Sequence, residues 1–315
     1  MVRFLRMGLV FTLVVVVLYI AVMVVLCRLA PGGVPLIHRT GDYYHLKGGV
    51  SYAKFREWDP AAHHDVLVVG SSHAYRGYDP RIFADRGLSL FNLGSSAQTP
   101  LNTLHVLRGY AGQGRAGLVL IDVYEGALTN DGLESTSDLV MNIGSDRAAA
   151  GMAWDQADLR AVNMLALRFL RRDAPADVID STYVPGGFSQ NTDSLKGAVP
   201  YARFDRSKVR ADQLVHLAAC LDHCRDRGLP AVLVSHPQPH AADSVGHLVF
   251  RALIDSVRAP YGTPYLDLAL GHALDDHDHF YDHNHLNQAG VERFNAILIS
   301  ALDSTGLLPR RRGTP

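Results

Sequence analysis

Asp65-Val66-Leu67-Val68-Val69-Gly70-Ser71-Ser72-His73 is an apolar, β-branched run that stops on a glycine and two serines. Four successive apolar side chains do not fit a strand with one wet face. They fit a strand covered on both sides, the pattern of a parallel sheet. The same texture returns at Leu88–Leu93, Gly117–Tyr124, Ala231–Ser235 and Pro264–Leu268. Between these runs Thr103–Tyr110, Ala211–Arg227 and Gln288–Leu302 read as helices. In the last of them Val291, Phe294, Leu298 and Leu302 share one face. Asp79-Pro80 reads as an N-cap followed by a first-turn proline. Alternating strands and helices predict an α/β fold in three layers, α/β/α, around a parallel sheet.

Such sheets place their sites at the carboxyl ends of the strands, and Ser72 stands at one. A serine hydroxyl is a poor nucleophile until a base takes its proton. The second informative stretch, Tyr281-Asp282-His283-Asn284-His285-Leu286-Asn287, supplies that base. His285 can accept the proton while Asp282 fixes its tautomer, and Asn287 is placed to cap the helix that follows. The last predicted strand leads directly into this stretch, so both pieces can reach one sheet edge.

Gly70-Ser71-Ser72, Phe91-Asn92-Leu93-Gly94 and Asp282-x-x-His285 together resemble the SGNH (GDSL-like) hydrolases, especially membrane-anchored bacterial members that modify envelope polymers. The similarity runs from Asp65 to about Leu302, with an unmatched middle. It implies a flavodoxin-like sheet, Ser72 as nucleophile, and Asp282 and His285 as its partners. It also implies an oxyanion hole built from the N–H groups of Ser72 and Gly94. Ser71 replaces the aspartate usual in the first block. The third block, normally Gly-x-Asn-Asp, is replaced by Ile121-Asp122-Val123-Tyr124-Glu125-Gly126. Asn130 is the candidate for the missing side-chain donor. The implied activity is that of an esterase or O-acyltransferase on a small, acetyl-like ester of an envelope polysaccharide. The alternative is a catalytically silent module of the same fold that binds envelope polymer or scaffolds an acylation complex.

The remaining sequence bounds this reading. The chain has 315 residues, with 30 Lys and Arg against 31 Asp and Glu, so nucleic acid is not an expected partner. Met7 to Cys27 is uncharged and long enough to cross a bilayer as a helix. It exceeds a signal-peptide core and lacks an A-x-A-like site, which favours an uncleaved anchor over a cleaved signal. The expected organisation is a cytoplasmic stub and transmembrane anchor over 1–30, a tether over 31–60, and an α/β domain over 61–305. That domain carries a largely helical insertion at about 126–201, and a basic tail occupies 306–315. The expected location is the cell membrane, single-pass, with the catalytic domain extracytoplasmic. The expected partners are the lipid bilayer, an acylated envelope glycan as substrate, and a membrane acylation partner.

Within the insertion, Leu159, Val162, Ala166 and Phe169 share a helix face beside several arginines. That helix either packs on the core or forms a lid or membrane-facing element. The Gly186-Gly187 loop is either a substrate-contacting turn or a plain one. Cys220 and Cys224 read as small core residues rather than a bridge. The Asp/His-rich stretch from His272 to His285 lacks a recognised ligand spacing and reads as a solvated loop. No metal and no cofactor are expected. A metal-dependent hydrolase is the third reading.

Overall fold

The computed structural model describes residues 1–41, 43–112, 114–199, 203–240 and 242–308. The chain opens with α1 (Val2–Arg28) and α2 (Gly49–Glu57), then β1 (His64–Val69), α3 (Ser72–Gly77), α4 (Pro80–Ala84) and β2 (Leu90–Asn92). There follow α5 (Pro100–Tyr110), β3 (Ala116–Asp122), α6 (Glu125–Thr129), α7 (Leu133–Asn142), α8 (Asp146–Asp155) and α9 (Leu159–Leu170). A short hairpin of β4 (Tyr183–Val184) and β5 (Phe188–Ser189) leads to α10 (Ala211–Asp226) and β6 (Ala231–Ser235). The chain closes with α11 (Ser244–Arg258), β7 (Tyr265–Asp267) and α12 (Gln288–Ser304).

The main sheet has the order β2-β1-β3-β6-β7 and is parallel throughout. This is the doubly wound, flavodoxin-like order, whose winding reverses between β1 and β3. The strand side chains divide between two cores, as their all-apolar composition requires. Leu67 and Val69 face the layer of α5, α7, α8, α9 and α10, while Val66 and Val68 face α4 and α12. In α12 the predicted face of Val291, Phe294, Leu298 and Leu302 is buried. Asp79 caps α4, its carboxylate accepting from the Arg81 N–H at 3.0 Å.

Two expectations change. Residues 31–60 do not hang free as a tether: two 3-10 turns and α2 lie in them, and Ile37 and Phe55 are buried. The cause is apolar content, because Phe55 and Trp58 pack on Tyr110 and Trp58 also packs on Phe91. Of the two readings of α9, packing of the Leu159–Val162–Ala166–Phe169 stripe on the core is the one the structure does not show. Ala161, Met164 and Leu167 are buried, whereas Leu159, Val162 and Phe169 are exposed. The arginines of that segment are ion-paired: Arg168 and Arg172 both reach Asp146, at 2.8 and 2.6 Å, Arg160 reaches Asp158 at 2.7 Å and Arg171 reaches Asp177 at 2.7 Å. The Gly186-Gly187 loop is the turn of the β4–β5 hairpin, and it packs on the end of β2 through an Asn92 N–H to Gly186 carbonyl bond of 2.8 Å.

Residues 126–201, as far as they are described, contain most of α6, then α7 to α9 and the hairpin. The tail beyond 308 lies outside the described residues, whereas 306–308 follow α12 with Leu307 and Leu308 packed on the core. Cys220 and Cys224 are buried and free. The helix α1 is long and apolar enough to cross a membrane, which fits a membrane anchor or a signal sequence. Its last third packs on α9: Met23 and Cys27 are buried, and Tyr19 hydrogen-bonds Asn163.

Candidate active site

The turn after β1 is forced by Gly70. Its φ of 147° is open to glycine, and a Cβ there would lie 2.8 Å from the Asp122 Cβ. The chain can therefore pass tightly over the end of β3 and enter α3. Ser71 caps that helix, its hydroxyl accepting from the His73 N–H at 3.2 Å. Ser72 is the first residue of α3 and stands half-buried at the crossover between β1 and β3.

The segment before α12 is closed equally firmly. Phe280 and Leu286 pair across it and are buried. Asn287 caps α12 by accepting from the Gly290 N–H at 3.0 Å, and it donates to the Asp278 carbonyl at 2.9 Å. Between these fixed points Asp282 Oδ1 accepts from the N–H groups of Asn284 and His285 at 2.9 and 2.8 Å. His285 Nδ1 lies 2.8 Å from Asp282 Oδ2, and Nε2 lies 2.8 Å from Ser72 Oγ. With the Nδ1 proton held by the carboxylate, Nε2 is the acceptor for the serine hydroxyl. Burial pushes the Asp282 carboxyl up, but the hydrogen bond and charge of His285 and the two N–H groups outweigh it and hold it below the usual range. Tyr281 stacks on the imidazole at 5.5 Å with an interplanar angle of 8°, and Arg76 lies over the Tyr281 ring. Ser72 and the Asp282–His285 pair, 213 residues apart from Ser72 to His285, thus form one hydrogen-bonded row.

The expected oxyanion donors are only partly gathered. The Ser72 N–H opens α3 and has no partner within the helix. Gly94 is not available, since its N–H donates to its neighbour Asn92 Oδ1 at 3.0 Å. Its small size serves packing instead: a Cβ would lie 2.7 Å from the Ala74 Cβ and 3.1 Å from the Ser71 carbonyl. Asn130 is also committed elsewhere. It ends α6, and its Oδ1 accepts from the Gly132 N–H at 2.8 Å. The helix α6, which begins three residues past β3, carries the chain off before Asn130 is reached, and no described hydrogen bond joins Asn130 to the Ser72 row. Ala97, in the loop after Gly94, has a left-handed φ of 46°, unusual for alanine.

The Asp/His-rich stretch does not converge on one point. His240, from the segment after β6, meets Asp276 at 2.8 Å, and Asp275 accepts from the N–H groups of His277 and Asp278. A different trio comes together against the row: His73, Asp122 and His236, all buried. The His73 and His236 rings are 3.9 Å apart, and the His285 ring is 5.2 Å from His73. Burial pushes the Asp122 carboxyl up to about 7, against the Tyr78 hydroxyl that donates to it at 2.7 Å. Burial drives His236 down to about 3 and His73 well below its ordinary range. As a set, the trio has no spacing signature in the sequence. A positional signal was present, because the three residues stand at or just beyond the carboxyl ends of β1, β3 and β6.

A cavity of about 340 Å³ opens beside the row, lined by His73, Tyr124, Arg203, Gln238, His283 and Asn284 among others. It borders the row through the chain neighbours of Ser72 and His285 rather than through those two residues. Beyond it His247 is held between two carboxylates, Nδ1 at 2.6 Å from Glu125 and Nε2 at 3.0 Å from Asp267. Both ring nitrogens therefore act as donors. Burial disfavours the charge, but the bonds to Asp267 and Glu125 prevail and raise its pKa to about 9.

No protein-family model and no curated protein matches the chain. Among solved structures it is similar to a candidate acylhydrolase from Bacteroides fragilis, at 11% identity and a TM-score of 0.43, covering 80% of this chain and 94% of that one. It is similar to a GDSL-like lipase from Bacteroides thetaiotaomicron, at 12% identity and a TM-score of 0.39, covering 76% and 88%. A third likeness is to a candidate lipolytic protein of the G-D-S-L family from Desulfitobacterium hafniense, at 12% identity and a TM-score of 0.40, covering 75% and 98%.

Proposed function

We propose that the chain is a serine esterase or O-acyltransferase of the SGNH type, acting on a small acyl ester of an envelope polysaccharide. The single observation that carries this reading is the row Ser72–His285–Asp282, with both imidazole contacts at 2.8 Å. Ser72 Oγ attacks the ester carbonyl as its proton passes to His285 Nε2. Asp282 keeps the ring oriented and stabilises the imidazolium. The tetrahedral intermediate collapses, His285 returns the proton to the departing alcohol, and the acyl group remains on Ser72. Water or a glycan hydroxyl then attacks the acyl-serine, giving up its proton to the same nitrogen. The Ser72 N–H is the donor offered to the oxyanion. The polysaccharide substrate, transfer to a second hydroxyl and a membrane acylation partner are supported by the sequence resemblance. So are an uncleaved α1 and an extracytoplasmic domain.

The test is the full chain in detergent on p-nitrophenyl acetate, compared with Ser72→Ala. The expected loss is on the order of 10⁴-fold or more in kcat, as for other serine triads. The oxyanion geometry favours a second reading, a catalytically silent glycan-binding module, because Gly94 and Asn130 are engaged elsewhere. A folded parent protein that turns over no activated ester yet retains envelope glycan on a column would establish that reading instead.

A further inference from the structure

We propose that His73, Asp122 and His236 bind a divalent transition-metal ion of the zinc class, directly against the Ser72–His285–Asp282 row. The observation is a set of buried ligand atoms with nothing to bond. Both ring nitrogens of His73, Oδ1 of Asp122 and Nδ1 of His236 are buried without a hydrogen-bond partner. Buried polar atoms are rarely left so, and four in one cluster call for a common explanation. One candidate ligand atom from each residue lies within 4.8 Å of the other two. Around tetrahedral zinc, N and O ligands at about 2.0–2.1 Å stand about 3.4 Å from one another, so side-chain rotations of about 1 Å close the shell.

The surrounding bonds select the atoms. Tyr78 donates to Asp122 Oδ2 at 2.7 Å, and that oxygen lies 4.0 Å from His236 Nδ1, while Oδ1 has no partner, so the carboxylate has an oxygen to offer an ion. His236 Nε2–H donates to the Asn284 carbonyl at 3.3 Å, which leaves the Nδ1 lone pair facing the cluster. A ligating imidazole ordinarily has its other nitrogen held in this way. Two imidazoles and a carboxylate form a donor set suited to zinc, with a fourth position left for another ligand. A bound ion ties together the Ser72 turn, the end of β3 and the segment after β6. Through His236 and Asn284 it also braces the loop that presents His285. The three residues are positioning groups for the row rather than reactants.

The test uses the untagged full chain in detergent, stripped with EDTA and titrated with Zn²⁺ by calorimetry and with Co²⁺ by visible absorption. The expected result is one Zn²⁺ per chain and Co²⁺ d–d bands of a His/carboxylate shell. In His236→Gln and Asp122→Asn the expected affinity is lower by on the order of 10²-fold. Circular dichroism checks that both variants fold; where one does not, the Co²⁺ spectrum of the parent protein decides. A folded parent that binds neither ion overturns the proposal, and so does Zn²⁺ bound equally by both variants. The readout is metal content, so it is independent of whether the row turns over an ester.

Discussion

At the scale of single residues, the hydrogen-bonded row of Ser72, His285 and Asp282 rests on short-range structure at each of its two ends. A serine after a β-strand and an Asp-x-x-His segment each form their local structure within a few residues. The hydrogen bonding of Gly94 was not legible, because the direction of its N–H is decided by the side chain of Asn92 two positions earlier. No spacing rule records such a choice. The trio of His73, Asp122 and His236 was hidden for the opposite reason, since only the sheet order brings the ends of β1, β3 and β6 together. Gly70 is the residue on which all of this rests. Gly70→Ala imposes a left-handed backbone on alanine and drives a Cβ against Asp122. The expected cost is about 2–4 kcal/mol, from strain together with overpacking. A urea denaturation curve measures it, and an unchanged midpoint would show that the turn tolerates a side chain.

At the scale of elements, periodicity located the helices but did not always orient them. In α9 the stripe of larger apolar residues was the natural core face. The structure buries Ala161, Met164 and Leu167 instead, with Asn163 among them held by Tyr19 and Tyr44. Partners outside the helix, α7 above all with α1 and α8 beside it, decided which side faces inward. The start of α12 is a second such junction. Asn287→Ala removes both the cap and the bond to Asp278, and a loss of about 1–2 kcal/mol is expected from thermal unfolding. His247 clasps α6 and β7 from α11. Its folded pKa is raised, so its contribution is complete below an unfolded pKa of about 6.5 and is lost as pH rises through about 9. The gap in stability between the parent protein and His247→Gln is therefore expected to shrink from pH 6 to pH 10. Its full size is on the order of a few kcal/mol, that of a buried ion pair losing one partner. Paired urea titrations across that range read it, and a gap independent of pH would show that the clasp is not charged.

At the scale of the whole molecule, the parallel sheet and its layers followed from the all-apolar strands, whereas the packing of the first sixty residues did not. Composition there suggested slack, yet α1 runs into turns and a helix that are built into the core. A chain beginning after residue 28 uncovers the surface that Met23 and Cys27 occupy. It is expected to unfold at lower urea than one beginning at residue 18, by about 2–4 kcal/mol for the two buried side chains. Equal midpoints would mean that the last third of α1 adds nothing to the domain.

That last third also fixes a height. The part of α1 before Tyr19 is about 25 Å long at 1.5 Å per residue, somewhat less than the hydrocarbon thickness of about 30 Å. If the helix crosses a bilayer, the body of the protein has no leash on which to swing. It sits against the lipid with Leu159, Val162 and Phe169 exposed on the helix that α1 grips. Its reach into the space above the membrane is then its own diameter. Any substrate farther out would have to be brought down to the level of the domain.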